Sequence, residues 1–176
     1  MKNVLLVGLG NIGMMYDYYL KGNQKILTHA KAFSLNNNFK IIGAIEKDPF
    51  KCGLFKERYN APTFSDFHKV DESLKPDIVV ISTPTKLHKE HISKSLKFKS
   101  LKIILCEKPI SYSIEDAQFI LDICKNRGIK LFVNYIRRTD PGVIEIKKRF
   151  KSNSISTPIK GFCWYSKGLI HNGSHF

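Results

Sequence analysis

The sequence has few cysteines, and none of them lies close to another. The four are Cys52, Cys106, Cys124 and Cys163, which form no C-x-x-C pair. Zinc sites and redox dithiols generally use closely spaced thiols, so the spacing argues against both. We expect four reduced thiols and no metal site.

Long hydrophobic runs are also missing. The apolar run at residues 4–8 is too short for the hydrophobic region of a secretory signal or for a membrane span, and no longer run follows it. We therefore expect a cytoplasmic protein without a membrane partner.

Acidic residues are scarce relative to basic ones: 15 Asp and Glu stand against 29 Lys and Arg, a formal charge of +14. Such a charge suits a nucleic acid, a membrane surface or a phosphorylated small molecule as partner. The basic residues are scattered apart from local clusters such as Lys147, Lys148, Arg149 and Lys151, and no nucleic-acid-binding motif is present. We expect mostly solvated surface charge and no nucleic-acid partner. The alternative, nucleic-acid binding, predicts an affinity that salt weakens steeply.

Short β-rich apolar runs alternate with longer amphipathic stretches along the chain. This alternation is typical of repeated βα units, and consecutive apolar residues indicate strands that are covered on both faces. The sequence predicts an α/β fold with a doubly wound (Rossmann) parallel sheet. The predicted strands are 3–8, 39–46, 77–82, 102–106 and 130–134.

Several predicted helices begin at a recognisable capping residue. Asp48 precedes Pro49, Thr85 follows a proline, and Ser113 opens a capping box. The helix after Ser113 ends at Gly128 and places its apolar residues on one face. These residues are Ile114, Ala117, Ile120, Leu121 and Cys124.

A glycine-rich motif, G-x-G-x-x-G, follows the first predicted strand and is expected to open a helix. Its members include Gly8, Gly10, Asn11, Ile12 and Gly13. The first glycine permits a tight turn, the second lets the backbone approach a pyrophosphate, and the third allows close packing of helix on strand. We expect a dinucleotide site, with a ligand-free glycine turn as the alternative.

The second strand ends at Glu46, whose carboxylate can accept hydrogen bonds from both adenosine ribose hydroxyls and repel a 2′-phosphate. Glu46 lies farther from the motif than the usual distance of about 20 residues, so the helical region at residues 17–38 must be long. The positive charge of Lys47 could instead bind a 2′-phosphate. The sequence therefore predicts NAD as cofactor and leaves NADP possible.

Thr83, Pro84 and His88 follow the third predicted strand. Because residues at the carboxyl ends of parallel strands line the ligand crevice, they could border the ribose and nicotinamide of the cofactor. For His88, a helix cap or a surface position is the commoner alternative.

Glu107, Lys108 and Pro109 stand at the mouth of a buried strand. Pro109 restricts Lys108 to an extended or turn conformation. A lysine that is partly desolvated beside a cofactor can exchange a proton with a substrate hydroxyl or carbonyl. Lys108 is thus the predicted acid or base, although an ordinary surface lysine is the default alternative.

These motifs, in this order, together with residues 134–141, resemble the Gfo/Idh/MocA oxidoreductase family. The resemblance implies NAD(P)-dependent hydride transfer to or from a carbon of a sugar, nucleotide sugar or polyol. It also implies that Glu107, Lys108 and Asn134 border the cofactor. We expect an NAD(P)-binding domain over residues 1–136, followed at 137–176 by a linker helix and the start of an α+β substrate domain.

In this family the second domain opens with a pattern close to D-x-G-x-H and often mediates oligomerisation, so a homo-oligomer is expected for the intact protein. Here residues 171–175 resemble that pattern, with His175 as the family's catalytic histidine and His171 where many members have aspartate. The remainder of such a domain is missing, so we expect a truncated, inactive chain. A non-catalytic NAD(P)-binding module or sensor is the alternative.

Overall fold

The computed structural model describes residues 1–22 and 25–152. The chain divides into two compact units, Met1–Tyr135 and Ile136–Phe176. No helix among the described residues is both long and apolar enough to cross a membrane.

The first unit is built on a six-stranded parallel sheet in the order β3-β2-β1-β4-β5-β6. The order reverses between β1 and β4, which makes the sheet doubly wound, as predicted. All five predicted strands are present, and a sixth, β3, escaped prediction because it has only two residues. The strands are β1 Lys2–Val7, β2 Phe39–Ile45, β3 Thr63–Phe64, β4 Ile78–Ile81, β5 Ile103–Cys106 and β6 Lys130–Val133.

Helices cover both faces of the sheet, so the core has two layers. In β1, Leu5 and Val7 pack into one layer, whereas Val4 and Leu6 pack into the other, and all four are fully buried. This burial explains the continuous apolar run that predicted the strand. The helices of the first unit are α1 His29–Ser34, α2 Pro49–Tyr59, α3 His88–Ser95 and α4 Ile114–Asn126.

Two of the three predicted helix caps are present. The side chain of Asp48 accepts a hydrogen bond from the backbone of Phe50, and that of Ser113 accepts one from the backbone of Asp116. The prediction for Thr85 is wrong, because Thr85 is the first residue of a 3-10 turn that lacks a side-chain cap. Pro84 and His88 bound that turn.

The predicted buried face of α4 is only partly correct. Ile120 and Cys124 are buried, but Ile114 is 84% exposed and Leu121 52% exposed. The helix rests on the sheet along a narrower stripe than its apolar residues suggest. It ends as predicted at Gly128, whose positive φ of 64° reverses the chain.

The second unit contains a 3-10 turn, Ile136–Thr139, and a helix where the linker helix was predicted, α5 Pro141–Lys151. Asp140 caps this helix by accepting a hydrogen bond from the backbone of Gly142. The predicted residues 171–175, including His175, lie outside the described part of the chain. Assignment of residues 137–176 to a second domain stays a prediction.

The glycine-rich motif does not open a long helix, so the helical region predicted for residues 17–38 is wrong. The backbone N–H of His29 donates to the carbonyl of Ile12 at 3.1 Å, and that of Ala30 donates to the carbonyl of Gly13 at 2.9 Å. In an unbroken helix such bonds join residues four apart. Helix α1 therefore continues the turn that the motif begins. The described residues between them, 14–22 and 25–28, lead away from that turn and back to it, and we call them the looped-out segment.

Asp17 holds the looped-out segment closed. Its carboxylate is 1% exposed and accepts hydrogen bonds from the backbone of Leu27 at 2.7 Å and of Thr28 at 3.1 Å. It also accepts one from the Thr28 hydroxyl at 2.7 Å. The segment is thereby joined at its base, directly before α1.

We predict that Asp17→Ala lowers the free energy of unfolding by about 2–4 kcal/mol, because buried donors lose their charged acceptor. Urea denaturation measures the change. Asp122→Ala is the control, since Asp122 is exposed and, within residues 1–22 and 25–152, accepts only from the Gln118 side chain; it should shift stability by less than about 0.5 kcal/mol. Equal, small shifts for both variants would contradict this role of Asp17.

Candidate functional site

A cavity of about 390 Å³ opens at the carboxyl ends of β1, β2 and β4. It lies where the strand order reverses, the place at which doubly wound sheets bind their ligands. Predicted site residues form part of its wall, together with His91: Gly8, Gly10, Glu46, Thr83 and Pro84.

The three glycines of the motif have different surroundings. Gly8 has a positive φ of 90°, and a Cβ there would lie 2.8 Å from the side chain of Thr83. A Cβ on Gly13 would overlap the carbonyl oxygen of Gly8 and approach the Ser82 hydroxyl to 2.8 Å. Gly10 has no atom within 4 Å of such a Cβ. The first and third glycines thus serve the turn and its packing, and the second faces open space.

The turn offers hydrogen-bond donors beside that open space. Among the described residues, no acceptor pairs with the backbone N–H groups of Asn11, Ile12 and Gly13. The N–H of Leu9, in contrast, is bonded to Glu46. Unpaired N–H groups at the start of a helical turn bind phosphate oxygens well. The residues present therefore fit a diphosphate.

Glu46 folds back onto the motif. One carboxylate oxygen accepts from Leu9 at 2.7 Å, and the other accepts from the backbones of Lys47 at 2.8 Å and Asp48 at 3.1 Å. A carboxylate has about four acceptor positions, so capacity is left for a ligand hydroxyl. Contact with both ribose hydroxyls stays a prediction. Lys47 and Lys51 also line the cavity.

His91 belongs to the cavity wall, although the sequence did not single it out. Its Nδ1 lies 3.0 Å from the Thr83 hydroxyl, and its ring packs against Phe67. Burial holds the pKa of His91 below its ordinary value, so the ring is neutral near pH 7. Its position one helical turn after His88 was the only feature of the sequence that could have identified it.

His88 lies deeper than predicted. It is 1% exposed, and its two ring nitrogens lie 3.0 Å from the carbonyl oxygen of Pro109 and 2.9 Å from that of Thr83. Both nitrogens thus face backbone carbonyl oxygens, and a neutral ring, which has one N–H, donates to one of them. A position of His88 beside the ribose and nicotinamide stays a prediction. The buried ring thus lies between the loop after β4 and the loop after β5.

Glu107 and Asn134, predicted to share a site, are in contact. The Glu107 Oε1 atom accepts from the Asn134 side-chain amide at 2.6 Å and lies 2.8 Å from Nε2 of His29. Burial by itself raises the pKa of the Glu107 carboxyl, but hydrogen bonds from His29 and Asn134 outweigh it and hold the pKa below its ordinary value. The group is a carboxylate near neutral pH.

Lys108 follows directly, and its peptide bond to Pro109 is cis. The side chain is exposed and has no hydrogen bond or ion pair within residues 1–22 and 25–152. Partial desolvation of Lys108 beside a bound cofactor stays a prediction. Its predicted partner His175 lies outside these residues.

Residues 2–135 match the family described as "Oxidoreductase family, NAD-binding Rossmann fold", Gfo/Idh/MocA. The chain belongs to the Gfo/Idh/MocA family. The matched region is that family's NAD-binding domain, which agrees with the open space at Gly10 and the unpaired donors beside it. The resemblance inferred from the sequence motifs is thereby confirmed, as is the cofactor class.

Two curated members of the Gfo/Idh/MocA family illustrate the match. The scyllo-inositol 2-dehydrogenase (NAD(+)) of Bacillus subtilis strain 168 is 30% identical over 159 residues, which are 89% of this chain and 43% of that protein. The inositol 2-dehydrogenase of Rubrobacter xylanophilus is 27% identical over 135 residues, 76% of this chain and 38% of that protein. The chain thus spans about two fifths of the length of these relatives.

Solved structures of dehydrogenases share the fold. The apo scyllo-inositol dehydrogenase of Lactobacillus casei superposes with a TM-score of 0.69 at 20% identity, over 88% of this chain and 42% of that one. The WlbA dehydrogenase of Bordetella pertussis, solved with NADH and UDP-GlcNAcA, gives 0.70 at 19% identity, over 86% and 40%.

We predict that Gly10→Val abolishes NADH binding, because the new side chain occupies the space that the pyrophosphate needs. Folding stability should change by less than about 1 kcal/mol, since that space is open. Calorimetric titration and urea denaturation measure the two quantities. Gly13→Ala is the matched comparison and should lose about 1–3 kcal/mol of stability through its overlap with Gly8. Unimpaired NADH binding by Gly10→Val would contradict the assignment.

Proposed function

We propose that this chain is the cofactor-binding part of a nicotinamide-dependent oxidoreductase that moves hydride to or from a carbon of a sugar, nucleotide sugar or polyol. The observation that carries the proposal is the glycine turn. Gly10 faces open space at the reversal of strand order, and the N–H donors beside it have no partner in the part of the chain that the structure describes. Membership of the family supports the reaction class.

The proposed substrate class rests on what the relatives' names state. Two of them are inositol 2-dehydrogenases, and another dehydrogenase was solved with NADH and UDP-GlcNAcA. We therefore place polyols and nucleotide sugars first among the substrates to be tested. From the resemblance we also propose a homo-oligomer for the intact protein, and from the shortness of its apolar runs we propose a cytoplasmic location.

Nicotinamide supplies the hydride chemistry when it is bound, and the chain's own groups handle protons and positions. We assign proton exchange with the substrate oxygen to Lys108, whose exposed amine is free to reach a ligand. His175, in the predicted opening segment of the second domain, is its proposed partner. Glu107 and Asn134 would border the nicotinamide half of the cofactor.

We predict at least about tenfold tighter binding of NADH than of NADPH, because the Glu46 carboxylate repels a 2′-phosphate. Titration with both cofactors measures the ratio. Glu46→Gln keeps the shape and removes the charge, so it should narrow the preference. The same change at the exposed Glu57 should leave the ratio unaltered. Tighter binding of NADPH by the unsubstituted chain would reject the assignment.

A second candidate is NAD binding without catalysis, which the exposure of Lys108 favours. Hydride transfer needs the reacting atoms aligned within about 3–3.5 Å and shielded from water. We predict that the 176-residue chain binds NADH but turns over inositols, sugars and nucleotide sugars at least about a hundredfold below the typical 10 per second. NADH formation, with Lys108→Ala as the blank, measures this rate. Rapid turnover that Lys108→Ala abolishes would exclude the second candidate.

A further inference from the structure

We infer that His29 is a positioning residue for the nicotinamide half of the cofactor site, where it holds the Glu107 carboxylate in place. The inference rests on the proposed function, because it assumes that a dinucleotide crosses the sheet at Gly10. It concerns a residue that stands outside the glycine motif and outside the loop that carries Lys108.

The contact between His29 and Glu107 is short and shielded. The ring Nε2 lies 2.8 Å from Glu107 Oε1, and the two side chains are 9% and 12% exposed. The same oxygen accepts from Asn134 at 2.6 Å. With two donors on Oε1, the carboxylate is fixed in orientation and retains acceptor capacity for a ligand hydroxyl.

The topology places this cluster on the nicotinamide side of the site. Glu46 follows β2, on one side of the glycine turn after β1, and the cavity it lines extends toward β3. Glu107 and Asn134 follow β5 and β6, on the other side. A dinucleotide whose pyrophosphate lies at the turn has its adenosine beside Glu46, so its nicotinamide half lies beside Glu107.

His29 is also bonded to the glycine motif itself. Its backbone N–H donates to the carbonyl of Ile12 at 3.1 Å, while its ring contacts Glu107. One residue therefore links the phosphate-binding turn to the strand end that carries Lys108. The looped-out segment brings His29 to this point, because Asp17 fixes Thr28, the residue directly before it.

Two substitutions that both introduce a side-chain amide, but of different length, test the inference. The amide nitrogen of His29→Gln can occupy the place of Nε2 and donate to Glu107, whereas that of His29→Asn is one bond too short. His68→Asn, at an exposed histidine, is the control. Each variant of the 176-residue chain is titrated with NADH and with ADP, which has the adenosine and two phosphates but lacks the nicotinamide and its ribose.

We expect His29→Asn to weaken NADH binding about tenfold or more, as loss of a hydrogen bond to a charged group does. ADP binding should change less than about twofold, and His29→Gln should stay within about threefold of the original for both ligands. Equal weakening of NADH and ADP, an unchanged affinity for NADH, or unfolding of either variant would overturn the inference. Failure of the unsubstituted chain to bind NADH would instead overturn the proposed function on which it rests.

Discussion

The close approach of Gly13 to the end of β1 is the contact on which the rest of this site depends. With no side chain at Gly13, the turn rests directly on the Gly8 carbonyl, which also accepts from the Ser82 hydroxyl at 2.9 Å. The turn, β1 and the loop after β4 are thereby locked together. That lock leaves Gly10 facing open space, and the N–H groups that follow it have no acceptor among the described residues.

The same lock explains how the chain accommodates a break in its first helix. Once the turn is fixed in place, the carbonyl oxygens of Ile12 and Gly13 can accept from any N–H group in the right position. Here they accept from His29 and Ala30, which take the places that residues four further along the chain have in an unbroken helix. The looped-out segment needs only a closed base, which Asp17 provides. The series of helical backbone hydrogen bonds thus continues across the break, although the residues that form it are not consecutive in the chain.

Local patterns predicted most of the fold, because strands buried on both faces are apolar at consecutive positions and caps such as Asp48 and Ser113 act on the next turn. The failures involve contacts between residues far apart in sequence. The spacing of His29 from the glycine motif hid its place in the first helix, and nothing local connects it with Glu107. Likewise, strand-end position identified Lys108 but carried no information about its exposure.

The clamp formed by His88 has a mechanical consequence. Its two ring nitrogens face the carbonyl oxygens of Thr83 and Pro109, and a neutral ring, which has one N–H, donates to one of the two at a time. Thr83 lines the cavity, and Pro109 is bonded directly to Lys108. One buried ring therefore lies between the loop that forms part of the cavity wall and the loop that carries Lys108, so neither loop can move toward the other.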